Sequence, residues 1–231
     1  MPGYYGMGMD YTWVVFVLPA LLLASYAQLK ISSAFNKYSR VSSETGLTGA
    51  QIARIILDRN GLQDVRIEHI GGKLTDHYDP RSKVVRLSNT IYGGTSIASA
   101  SVAAHEVGHA IQHADGYYPL ILRNNIAPIA NIGSRFAWIL IFIGFLISPV
   151  FLDVGILLFL TVVIFQIVTL PVEFNASSRA LLQLENGIIS RENIKPAKKV
   201  LSAAAFTYVA ATLVAVGQLI RLLAQSNRRR R

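Results

Sequence analysis

The chain has 231 residues and no cysteine, with 52% hydrophobic and 15% charged side chains, a net charge of +9 and a positive mean hydropathy. That is too apolar and too sparsely charged for an ordinary soluble domain, and it places the protein in the membrane class. Without cysteine there are no disulfides and no thiolate metal sites, so any metal is held by His, Asp or Glu; the positive charge lies beside apolar segments and in the terminal arginines, which fits anionic lipid headgroups rather than nucleic acid, for which there is no motif.

The first apolar stretch, residues 11–29, is just long enough to cross a bilayer. No Lys or Arg precedes it, as one would in a secretory signal peptide, so it reads as a retained N-terminal transmembrane anchor. Lys30, Lys37 and Arg40 follow it, and the positive-inside rule then puts the next segment in the cytoplasm.

Residues 30–135 are more polar and read as a small folded domain. Thr48 precedes the amphipathic stretch GAQIARIILDRN, which stops at Gly61, so cap and stop signals agree on a helix. VRIEHI, KLTDHY and KVVRLS are three short strand-like runs separated by GG and DPRS, which predicts an antiparallel meander. KVVRLS (83–88) could be an edge strand to which an extended peptide adds by backbone hydrogen bonds. The segment SIASASVAAHEVGHAIQHAD reads as a helix capped near Thr95 or Ser96 and stopped at Gly116.

Residues 136–170 are almost all apolar, Asp153 being the only charge. As one helix they would be roughly 50 Å long, against a hydrocarbon core of about 30 Å. A break at SPVFLD (148–153) gives a transmembrane hairpin over 136–172. A helix carrying Glu173 follows in the polar segment 173–199. Residues 200–220 form a fourth apolar helix, membrane-spanning or packed against the domain, and 221–231 are a basic tail. The fold class is a mainly α integral membrane protein with three or four transmembrane helices and a small α+β domain.

Three of the five histidines lie within nine residues, in AAHEVGHAIQHADG (103–116). His105-Glu106-Val107-Gly108-His109 is H-E-x-x-H on a predicted helix, and residues four apart share a face, so both imidazoles reach one ion. Zinc accepts neutral imidazole nitrogens and keeps a position for water, and the glutamate between them is placed to take that water's proton. The three fixed letters arise by chance roughly once in a couple of hundred chains of this length.

A third ligand is needed. His113 is about 12 Å along the helix from His105, too far to share its ion. Asp115 stands where the extended metzincin motif places a ligand, but that motif needs a glycine at 112, which here is Gln112. Glu173, at the membrane border and near the start of its helix, is favoured over Asp115, because a two-span hairpin returns the chain to the side it left. The competing explanation is a glutamate drawn to a helix N-terminus. Tyr208, His77 and Arg179 are possible oxyanion donors, and none is singled out.

At HEVGHAIQH, EFNASSRA and LTDHYDPRSKVVRLS the chain closely resembles the bacterial YugP-type membrane proteases, a neutral zinc metallopeptidase family, over nearly its whole length. More distantly it is similar to HtpX-type and CAAX prenyl proteases, in which a later E-x-x-A-D segment supplies the third ligand. Here Glu173, Ala176 and Ser177 occupy that segment, with Ser177 in place of the usual Asp. The resemblance implies an integral-membrane zinc peptidase with a glutamate ligand. The expectation is therefore a multi-pass cell-membrane metalloprotease whose small α+β domain is a zincin-like catalytic domain, hydrolysing peptide bonds by a metal-activated water. Zn2+ would be bound by His105, His109 and Glu173, with Glu106 as general base. The active site would face the cytoplasm and take peptide or membrane-protein substrates. The alternative is a non-catalytic metal-containing membrane scaffold or quality-control adaptor.

Overall fold

A computed structural model describes residues 11–229, so the end of the basic tail lies outside the described residues. The elements in chain order are α1 (Leu18–Tyr38), α2 (Gly49–Arg59), β1 (Arg66–Ile70), β2 (His77–Asp79), β3 (Val84–Ser88), α3 (Asn89–Tyr92), α4 (Ile97–Ala114), α5 (Tyr118–Leu146), α6 (Pro149–Glu185) and α7 (Arg191–Arg229). The protein is a mainly α membrane protein with a small α+β region. Among the described residues four helices are long and apolar enough to cross a bilayer: α1 with its π-helical first turn Trp13–Val17, α5, α6 and α7.

These four helices pack through small residues. A Cβ on Gly133 would collide with the Leu158 carbonyl, one on Gly144 with the Leu152 backbone, and one on Gly155 with Ile141, so α5 and α6 approach as closely as membrane helices do. Gly217 of α7 meets the Phe16 backbone, and Ser226 Oγ donates to Asp153 Oδ1 over 3.0 Å. The last apolar segment therefore runs along the bundle, beside both α1 and α6.

Two helices are longer than expected. The chain breaks at Ile147 and Ser148, where Pro149 opens α6 at a position that needs no N–H. However, α5 already begins at Tyr118, and α6 passes through Pro171 to Glu185 instead of ending near 170. Proline inside a membrane helix is tolerated because neighbouring groups satisfy the carbonyl it frees. Glu173 thus sits in the interior of a long helix. The explanation of a glutamate attracted to a helix N-terminus falls with this.

α2 is held by a reciprocal cap: Thr48 N–H donates to Gln51 Oε1 (2.8 Å) and Gln51 N–H to Thr48 Oγ1 (3.2 Å). Ser96 Oγ accepts from Ser99 N–H to start α4. The sheet corrects the expected meander. Its order is β1-β3-β2, with β1 parallel and β2 antiparallel to β3, so KVVRLS is the central strand and not an edge. The reason is burial on both faces: Val84, Val85, Leu87 and Ser88 are all fully buried, and only a strand covered on both sides carries such a run. Asp76 anchors the incoming loop by accepting from Ser88 N–H (2.7 Å) and Oγ–H (3.0 Å).

The core of this small domain packs α2, β3 and α4 against Ala180, Leu184 and Ile188 and against Ala197, Val200 and Leu201. The end of α6 and the start of α7 therefore complete a core that begins with α2. This packing fixes α4 against α6.

Candidate metal centre

α4 turns His105 and His109 to one side, with their rings edge to face and centroids 4.8 Å apart. Gly108, between them in the helix turn, lies directly against α6; a Cβ there would stand 2.6 Å from the Ala176 carbonyl oxygen. Only glycine allows this approach, and it brings Glu173 into range. Glu173 Oε2 is 3.2 Å from His105 Nε2 and 3.6 Å from His109 Nε2. One ligand atom from each of the three residues lies within 4.8 Å of the others, so the group could hold a metal ion.

Hydrogen bonding at the far side of the His109 ring indicates which of its nitrogens is free. Gln112 Nε2 donates to the Val172 carbonyl (2.8 Å) and to Asn175 Oδ1 (3.0 Å), so its Oε1 must be the atom 3.0 Å from His109 Nδ1. His109 Nδ1 then donates, which leaves Nε2 with its lone pair in the neutral ring. His105 Nδ1 has Ser177 Oγ at 3.3 Å, and its Nε2 faces the carboxylate. His109 Nε2 thus presents a lone pair toward the Glu173 carboxylate, an arrangement that a cation between them relieves. Ligands about 2.0–2.1 Å from one tetrahedral ion are roughly 3.3 Å apart, the scale of these separations. The donor set of two imidazoles and one carboxylate fits zinc, and outer partners that orient the rings are the usual companions of such a site.

Glu106 points into the adjoining cleft of about 160 Å³ and is 8% exposed. Burial pushes its carboxyl up to about 7, with the Glu173 charge adding to the shift and His105 opposing it. The Tyr78 backbone of β2 faces this carboxylate and also opposes the shift. β2 is thus the strand that borders the site, in place of β3.

The other sequence candidates are separated by their partners. Asp115 pairs with Arg179, whose Nε also donates to Asn175 Oδ1 (2.8 Å), and so it is turned away from the imidazoles. His113 Nδ1 shares a hydrogen bond of 2.8 Å with the Tyr78 hydroxyl, whose pKa burial raises to about 12. His77 is engaged at both ring nitrogens, by the Thr75 carbonyl and Arg86. Of the three oxyanion candidates, His77 and Tyr208 line the cleft, and Tyr208 is the one beside Glu173.

Arg123 of α5 escaped the sequence reading. Its Nη1 lies 3.7 Å from Glu173 Oε1, the carboxylate oxygen other than the one nearest the imidazoles. Nothing local marks it, because residues 30–135 read as one polar folded domain in which Arg123 belongs to no motif. Gln112 was legible only as a missing glycine, yet it lies on the same helix face three residues after His109. Asn175 and Arg179, four residues apart on α6, extend the polar chain from Gln112 to Asp115.

A family model described as "Putative neutral zinc metallopeptidase" matches residues 13–227. The chain is similar to "Putative membrane protease YugP" of Bacillus subtilis (strain 168), with 49% identity over 213 residues, 91% of this chain and 95% of that protein. No solved structure matches.

Proposed function

The chain belongs to the neutral zinc metallopeptidase family, and we propose that it is a membrane-bound zinc-dependent peptidase that hydrolyses peptide bonds. The observation that carries this reading is the convergence of His105 Nε2, His109 Nε2 and Glu173 Oε2 beside a buried glutamate in one cleft. Zinc held by those three residues would supply a Lewis acid that polarises the scissile carbonyl and acidifies water.

The chain's own groups do the rest. Glu106 takes a proton from the attacking water and returns it to the leaving amine. Arg123 and Tyr208 border the cleft at Glu173 and are the cation and hydroxyl available for oxygen charge developing on the substrate. Gln112 and Ser177 keep the imidazoles oriented. The substrates we infer are peptides and membrane proteins reaching a cleft at the bundle's end.

The reading is tested with purified full-length protein and an unstructured protein substrate. About one zinc per chain is expected, with turnover that a chelator abolishes and stoichiometric zinc restores. Turnover that persists in metal-free protein would remove the metal from the reaction.

We also propose that the site faces the cytoplasm, as Lys30, Lys37 and Arg40 after the first span suggest. The chain has no cysteine, so single thiols are unambiguous reporters. Leu74→Cys, in an exposed loop of the small domain, should resist a membrane-impermeant thiol reagent on intact cells; Ile147→Cys, at the exposed hairpin tip, should react. The reverse pattern would invert the topology.

A further inference from the structure

α1 and α7 meet along a groove of about 850 Å³ that is distinct from the metal cleft and holds five lysines but no carboxylate. Lys30 and Lys37 are two helical turns apart on α1; Lys195, Lys198 and Lys199 project from the first turns of α7. Among the described residues none of the five takes part in an ion pair. Like charges at helical spacings of three and four residues repel, so the cluster works against the helices that carry it. A concentration of cations without counterions calls for an anion from outside the chain.

Depth in the bilayer indicates which anion. The apolar stretch of α1 ends at Leu29 and that of α7 begins at Val200, so the lysines stand where hydrocarbon gives way to headgroups. At the same level Lys30 Nζ lies 5.0 Å from the ring centroid of Phe206 and 5.9 Å from that of Tyr26, two rings in edge contact at 6.1 Å. Aromatic rings beside cations are the usual furniture of a membrane border. From Lys198 and Ser202 the surface continues into a second groove between α6 and α7, of about 240 Å³, lined by Phe174, Leu181, Leu201 and Phe206.

We propose that this surface binds an anionic phospholipid, with its phosphate among the lysines and an acyl chain along the groove between α6 and α7. Both parts of the ligand are matched: charge at the headgroup level and an apolar channel leading from it. A zwitterionic lipid would bring its own ammonium group into the lysine cluster and is disfavoured. Basic pockets between helices on the cytoplasmic side select anionic headgroups for the same reason. The groove between α6 and α7 also reaches Ser177, which lies 3.3 Å from His105 Nδ1, so the bound chain would lie behind the metal cluster.

The test uses the full-length protein in detergent, titrated with phosphatidylglycerol or phosphatidylcholine of identical acyl chains, with bound lipid counted by native mass spectrometry. Phosphatidylglycerol should be retained about tenfold more tightly or better, and the triple variant Lys30→Gln, Lys198→Gln, Lys199→Gln should bring the two lipids within about twofold. Millimolar inorganic phosphate should not displace the lipid. Equal retention by the wild type, unchanged selectivity in the triple variant, or displacement by phosphate alone would each overturn the proposal. Because the triple variant could fold poorly, a photoreactive phosphatidylglycerol is applied to the wild type in parallel. Cross-links should fall within residues 26–38, 174–181 and 195–206, and cross-links confined to residues outside these segments would also overturn it.

Discussion

Replacing Glu106 with Gln should leave zinc content and thermal stability at the wild-type level and lower peptide hydrolysis by about a hundredfold to ten-thousandfold. The amide has nearly the shape of the carboxylate, so it fits the same buried position. It can neither take a proton from water nor give one to a leaving amine. The cluster of His105, His109 and Glu173 does not include this side chain, so metal binding should persist. Elemental analysis of the purified variant, with turnover measured on the same sample, separates chemistry from binding. A protein that used its metal only to brace a membrane scaffold would have no activity for the substitution to remove. Turnover close to wild type would place the base elsewhere.

Zinc affinity should fall in a defined order across three further variants. Glu173→Ala removes one of three converging ligands and should weaken binding more than the loss of an outer partner, which typically costs about ten- to a hundredfold. Gln112→Leu should fall within that outer-partner range, because it frees His109 Nδ1 from its acceptor and lets the ring turn while keeping both imidazoles. Asp115→Ala should change affinity little, since its carboxylate pairs with Arg179 and not with the imidazoles. Competition titration against a chromogenic chelator measures all three. Were Asp115→Ala to strip the metal while Glu173→Ala kept it, the third ligand would have to be reassigned.

Much of this protein is legible in short windows of sequence. The spacing of His105 and His109 puts two imidazoles on one side of any helix, whatever surrounds it. Thr48 with Gln51, Ser96 before α4, and the glycines at 61 and 116 mark helix ends through bonds and backbone angles within a few residues. Hydropathy marks three segments for the bilayer and leaves 200–220 as spanning or packed, whereas the length of α7 makes it a fourth candidate span. Strand order was not legible that way. Three short runs and two turn signals fit a meander equally well, and only burial of β3 on both faces decides that it lies in the centre.

The metal cluster divides along the same line. His105, Glu106 and His109 are a local pattern, whereas Glu173 belongs with them because Gly108 lets α4 press against Ala176 of α6. The unbroken passage of α6 through Pro171, the arrival of Arg123 from α5 and the use of Gln112 to orient His109 all depend on which helices become neighbours. Periodicity, capping and hydropathy act over a few residues and can be read in order along the chain. The partners of a buried carboxylate are chosen by packing between segments far apart in sequence, and that choice exists only once the helices have come together.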